Sequence, residues 1–173
     1  MKIKRANYHI LIVEDEPLLS MNYYDALKEL NYNVSRAMSL RTAKNILSSS
    51  FIDIIILDGD LPDGKGTSLI PFIENESSTS INKNIPIIFL SAYGGTNKES
   101  LKFEYNIIFD EILQKPIATS DLVNYVNKVI DKISVTDKNN DRYTKFINDS
   151  ERKKLLNLAL YDKDKKNNEK QEL

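Results

Sequence analysis

The stretch FIDIIILDGDLPDG, residues 51–64, closes an apolar run with Asp58, Asp60 and Asp63. Other apolar runs also end in groups that can do chemistry. Glu14 and Asp15 follow YHILIV, Ser91 follows IPIIFL, and Lys115 comes just after NIIFDEIL. Crowded carboxylates repel one another and raise each other's pKa unless a cation intervenes. Oxygen ligands without histidine or cysteine favour Mg2+ over zinc. A carboxylate nucleophile, a divalent cation, a lysine and a hydroxyl are the parts needed to attack phosphorus and to neutralise the oxygens of a phosphoryl group in transfer. Asp58 is the expected acceptor, because it directly ends the most buried run, where its position is most rigidly fixed.

These groups need a common scaffold. YHILIV (8–13), FIDIIIL (51–57), IPIIFL (85–90) and NIIFDEIL (106–113) are short and rich in branched apolar residues. That predicts strands buried on both faces, as in a parallel sheet. NYNVSRA (31–37) predicts a weaker fifth strand. Residues at helical spacing lie between the strands: Leu18, Met21, Ala26, Leu27 and Leu30 first, then Leu40, Ala43, Ile46 and Leu47. Leu69, Ile70 and Ile73 follow, then the weakly periodic TNKESLKFEY, then Leu122, Val126, Val129 and Ile130. Strand and helix alternate five times, which predicts the α/β class: a doubly wound five-stranded parallel sheet, a flavodoxin-like sandwich. Such sheets bind ligands at the carboxyl ends of their strands, where every reactive group named above falls.

The acidic pair in LIVEDEP, the acceptor in ILDGDLPDG, the hydroxyl in FLSAYG and the lysine in LQKP resemble, in order and spacing, the receiver domain of bacterial two-component response regulators. The resemblance covers about residues 8–131 and implies a CheY-like fold. It implies that Asp58 takes a phosphoryl group from a phosphohistidine on a sensor histidine kinase or phosphotransfer protein. It also implies Mg2+ held by Asp15, Asp58 and the backbone carbonyl of Asp60, with Glu14 acting partly through water. Ser91 and Lys115 would bind the phosphoryl oxygens, Ala92 would leave the acceptor accessible, and Lys115-Pro116 would be cis. The Asp60 side chain would point near the phosphoryl group. Such a protein is not a classical enzyme, although it catalyses its own phosphorylation and dephosphorylation.

Many receivers carry an aromatic residue three positions before the lysine as a reporter of phosphorylation; here Ile112 stands there. Tyr93, two residues beyond Ser91, is the candidate substitute switch. IIFLSAYGG with a non-aromatic residue before LQKP is similar to atypical single-domain receivers of alphaproteobacteria. Other residues have plainer readings. Asp63 belongs to the turn chemistry of LPDG, Asp53 caps or faces solvent, His9 sits at an edge or on the surface, and Tyr23 and Tyr24 pack. Two rival functions stay open. A haloacid dehalogenase-like phosphohydrolase fits DGD, Ser91 and Lys115, but its second acidic pair should follow the lysine, where Asp121 lies on a helix. A receiver-fold interaction module that dispenses with phosphorylation fits Ile112 and the tail.

Composition narrows the classes. The chain has 173 residues, no cysteine and a single histidine, which excludes disulfides, thiolate metal sites and multi-histidine clusters. A net charge of −1 gives no electrostatic case for direct nucleic-acid binding. No segment reaches the roughly 20 apolar residues of a membrane helix, and the short run after MKIKRAN ends at Glu14, too early for a signal peptide. A cytoplasmic protein without membrane contact is expected. The expected division is a receiver over 1–133 and, over 134–173, a polar linker, a short amphipathic helix near 149–161 and a flexible tail. Residues 131–173 carry 11 basic and 9 acidic side chains, thin support for DNA binding. The expected output is an unknown downstream protein partner, with homodimer formation open.

Overall fold

The structure is a computed structural model that describes residues 5, 8–74, 85–92 and 111–136, with side chains to 133. The expected helix at 97–105, Tyr93, the start of the fourth long strand and the tail helix lie outside the described residues. Strand β1 is His9–Val13, followed by helix α1 (Pro17–Glu29), β2 (Asn33–Ala37), α2 (Leu40–Ser49) and β3 (Ile54–Asp58). A two-rung hairpin, β4 (Asp60–Leu61) and β5 (Gly64–Lys65), leads into a 3-10 turn over Gly66–Leu69 and helix α3 (Ile70–Glu74). Then come β6 (Ile87–Ser91), β7 (Glu111–Gln114) and α4 (Thr119–Thr136). The main sheet is parallel throughout, with order β2-β1-β3-β6-β7, the doubly wound topology expected from the sequence.

Period-two alternation explains why helices cover both faces. Leu11 and Val13, Ile55 and Leu57, and Ile87 and Phe89 point to one side, where they pack with Leu40, Ala43 and Leu47 of α2 and Ile70 and Ile73 of α3. Ile10 and Ile12, Ile54 and Ile56, and Ile88 and Leu90 point to the other, against Tyr23 and Leu27 of α1 and Leu122, Val126 and Val129 of α4. Each buried Ile or Leu contributes roughly 1.5–3 kcal/mol, so the central strands are the most firmly held part of the described chain. Their rigidity passes to whatever residue ends each strand.

Local signals set the helix ends. Pro17 opens α1, where its missing N–H costs nothing. Asn31, at φ 64°, closes it in the left-handed region, with Tyr32 N–H donating to Leu27 O at 3.2 Å. Ser39 caps α2 by accepting from Thr42 N–H at 3.2 Å. The strand expected over 51–57 begins only at Ile54, because Asp53 exchanges bonds with β1: His9 N–H donates to Asp53 Oδ2 at 2.7 Å and Asp53 N–H to His9 O at 2.8 Å. Gly66 packs so closely beneath β3 that a Cβ there would collide with the Asp58 carbonyl oxygen. Among the described residues, no helix is long and apolar enough to cross a membrane.

Candidate functional site

Parallel register assembles the site. Val13 pairs with Leu57, so the next residues, Glu14 and Asp58, emerge side by side. Asp58 pairs with Leu90, which puts Ser91 one step beyond it, and Ser91 pairs with Gln114, which delivers Lys115 to the same edge. The Lys115 N–H donates to Ser91 O at 2.8 Å, tying the two loops together, and the Lys115-Pro116 bond is cis as expected.

The Lys115 ammonium donates to Asp58 Oδ2 at 2.8 Å and lies 2.7 Å from Glu14 Oε2. Glu14 is 1% exposed, Asp58 and Ser91 are buried, and Asp15 is exposed at the mouth. Oxygens of Glu14, Asp15 and Asp58 all lie within 4.8 Å of one another. Burial pushes the Glu14 carboxyl above the usual range, aided by the nearby Asp58 charge and opposed by Lys115. Burial alone would lower the Lys115 pKa, but its pairing with Asp58 and Glu14 outweighs that and raises it. One ammonium thus faces three carboxylates, a set still short of positive charge. Oxygen-only donors, convergence within 4.8 Å and an exposed member through which an ion can enter fit a hard divalent cation such as Mg2+.

The remaining expected residues are placed less uniformly. Asp60 opens the β4–β5 hairpin. Its N–H lies 3.4 Å from Asp58 Oδ1, but its side chain is turned to Lys65, with which it forms an exposed ion pair. Ile112 sits in β7, half-buried against the α2 and α3 side of the core. Asp63 does more than complete a turn: its carboxylate accepts from Leu40 N–H at 2.8 Å and Arg41 N–H at 3.0 Å, a second cap on α2 delivered from the hairpin. These backbone bonds hold its pKa below the usual carboxylate value. His9 is neither at a sheet edge nor free, since β1 lies between β2 and β3 and His9 Nε2 bonds Ser35 Oγ at 2.8 Å. Tyr23 was readable as packing, and its ring does pack, yet its hydroxyl lies within the electrostatic reach of Glu14.

The response regulator receiver domain matches residues 10–127. The chain belongs to that family. The membership supersedes the dehalogenase-type reading of DGD, and the acidic pair Glu14 and Asp15, which follows β1 and precedes Asp58 in the chain, accords with it. The chain is 30% identical to the phosphate regulon transcriptional regulatory protein PhoB of Escherichia coli over 125 residues, which cover 72% of this chain and 52% of PhoB. The chain therefore spans about half the length of that curated relative. Among solved structures, the receiver domain of HemR from Leptospira biflexa superposes with a TM-score of 0.60 at 28% identity, covering 71% of this chain and 94% of HemR's. The receiver domain of the sensor histidine kinase PA1611 from Pseudomonas aeruginosa, solved with a magnesium ion in its active-site cleft, gives a TM-score of 0.59 at 24% identity, covering 71% and 97%. The second of these likenesses concerns the fold alone.

Proposed function

We propose that Asp58 accepts a phosphoryl group from a phosphohistidine donor, a kinase or phosphotransfer protein, and that the phosphorylated chain signals through protein contacts. The observation that carries this reading is the Lys115 ammonium held between Glu14 and Asp58, 2.7 and 2.8 Å from their oxygens, at the edge where strand ends converge. Asp58 Oδ2 is engaged by Lys115, whereas among the described residues Oδ1 meets only the distant Asp60 N–H, so Oδ1 is the oxygen left to attack. The new O–P bond forms as the P–N bond to the donor imidazole breaks, and the electron pair returns to that nitrogen. Lys115 and Ser91 hold the phosphoryl oxygens. Glu14, Asp15, Asp58 and the Asp60 carbonyl would hold Mg2+, which when bound neutralises charge on those oxygens. Exposed Leu18 and Met21 give a donor helix an apolar strip on α1 beside the site. Ile112 in the aromatic reporter's place favours a second reading, an interaction module that works without phosphate.

Intact mass after incubation with Mg2+ and acetyl phosphate tests the first reading. One phosphoryl adduct is expected on the native chain, dependent on Mg2+ and absent from Asp58→Asn. No adduct with this donor or with a cognate kinase would hand the chain to the second reading.

A further inference from the structure

Tyr23 is fully buried, and its hydroxyl has no hydrogen-bond partner among the described residues. A desolvated phenol without a partner is costly and uncommon in a well-packed core. A phenylalanine would fill the same space at no such cost.

The direction of the side chain follows from the helix. α1 starts at the carboxyl edge of the sheet and runs away from it, and Tyr23 stands ~9 Å along it from Pro17 at 1.5 Å per residue. Helical side chains lean back toward the helix N-terminus, so the Tyr23 ring, in the same buried cluster as Ile12, Ile56 and Leu113, carries its hydroxyl up toward the reactive edge. The electrostatics agree. The phenol is pushed up to about 12, first by burial and next by the Glu14 charge, with Lys115 opposing and Asp58 and Glu16 adding. Glu14 is short of donors on its side: Oε1 has the Glu16 N–H at 3.4 Å, and Oε2 has an ion pair with Lys115 but no aligned hydrogen bond. A buried carboxylate offers about four acceptor positions. An unused donor and an under-used acceptor are both buried and lie within electrostatic reach of each other.

We infer that Tyr23 is a positioning residue for Glu14: its O–H donates to the Glu14 carboxylate, directly or through one enclosed water, when the acidic site is loaded with Mg2+. The inference rests on the reading of that site as a Mg2+ site. In this role the hydroxyl replaces the share of Lys115 that a phosphoryl group draws off, and it keeps Glu14 oriented while the lysine is occupied. Groups that orient metal-binding carboxylates typically change metal affinity about 10- to 100-fold when lost.

The test uses the full chain stripped with EDTA and its Tyr23→Phe variant, with Mg2+ affinity read from the rise in melting temperature across a Mg2+ titration. The expected result is an unchanged or slightly higher melting temperature for Tyr23→Phe without Mg2+, and a Mg2+ Kd raised about 10-fold. An unchanged Kd overturns the inference. A weaker Kd accompanied by a lower Mg2+-free melting temperature also overturns it, because the role is then packing. If the native chain itself shows no Mg2+ response, the reading of the metal site fails first, and the comparison between the two chains makes that plain.

Discussion

Strands β1 and β3 carry polar residues at both of their ends, and the two ends are built on opposite terms. At the amino end, His9 and Asp53 exchange bonds at 2.7 and 2.8 Å, and the His9 ring meets Ser35 at 2.8 Å. These contacts are with neutral or backbone groups. At the carboxyl end the same strands deliver Glu14 and Asp58, like charges sharing one lysine, with Asp15 close by. A polar residue at a strand end is therefore no marker of a site by itself. The end that stands out is the one where the protein's own carboxylates outnumber the cations beside them.

Breaking the lysine's bridge should have the largest effect. Lys115→Met leaves two buried carboxylates without their cation, and in EDTA it should cost about 3 kcal/mol of stability, measured by urea denaturation. Mg2+ should restore part of that loss. The variant should also accept little or no phosphoryl group. At the amino end, Ser35→Ala removes one neutral hydrogen bond, so about 1 kcal/mol is expected, with phosphorylation of Asp58 unchanged in the same mass assay. A comparable loss from both variants would erase the contrast.

The smallest effect is in pH, and there the two ends should have opposite signs. Burial, opposed by a bond from Phe51, lowers the His9 pKa from 6.5. Its contribution to stability is present above 6.5 and is lost as pH falls through the lower folded value. The Glu14 pKa is raised from 4.5, so its contribution is present below 4.5 and is lost as pH rises through the higher folded value. In Mg2+-free buffer, His9→Gln should flatten the loss of stability just below pH 6.5. Glu14→Gln should hold stability at neutral pH while abolishing the gain on acidification. Melting temperatures across a pH series read both slopes, and slopes of the same sign would refute the assignment.

Much of this was legible in the chain because the information is local. IIIL and IIFL can hardly be anything but strands covered on both faces, and a parallel register places the residues that follow them on one edge. Glu14, Asp58, Ser91 and Lys115 were readable for that reason. What escaped depends on contacts made across the fold. Asp63 looks like an ordinary turn residue until α2 is brought against the hairpin, and no spacing rule links it to Leu40, 23 residues earlier. His9 was misjudged because a strand's place in the sheet is set by its neighbours. Tyr23 reads from the sequence as packing, and only the fold shows that its buried hydroxyl lacks a partner among the described residues.

Gly66 shows how far the demands of the Asp58 site extend into residues that would do no chemistry. It has no side chain to offer a ligand or a proton, yet any side chain there would be driven into the backbone of β3 at Asp58. In a saturation mutagenesis map scored by phosphorylation, this position is expected to be as intolerant as Asp58, the proposed acceptor. Intolerance to substitution would then trace the outline of the mould around Asp58 as well as Asp58 itself.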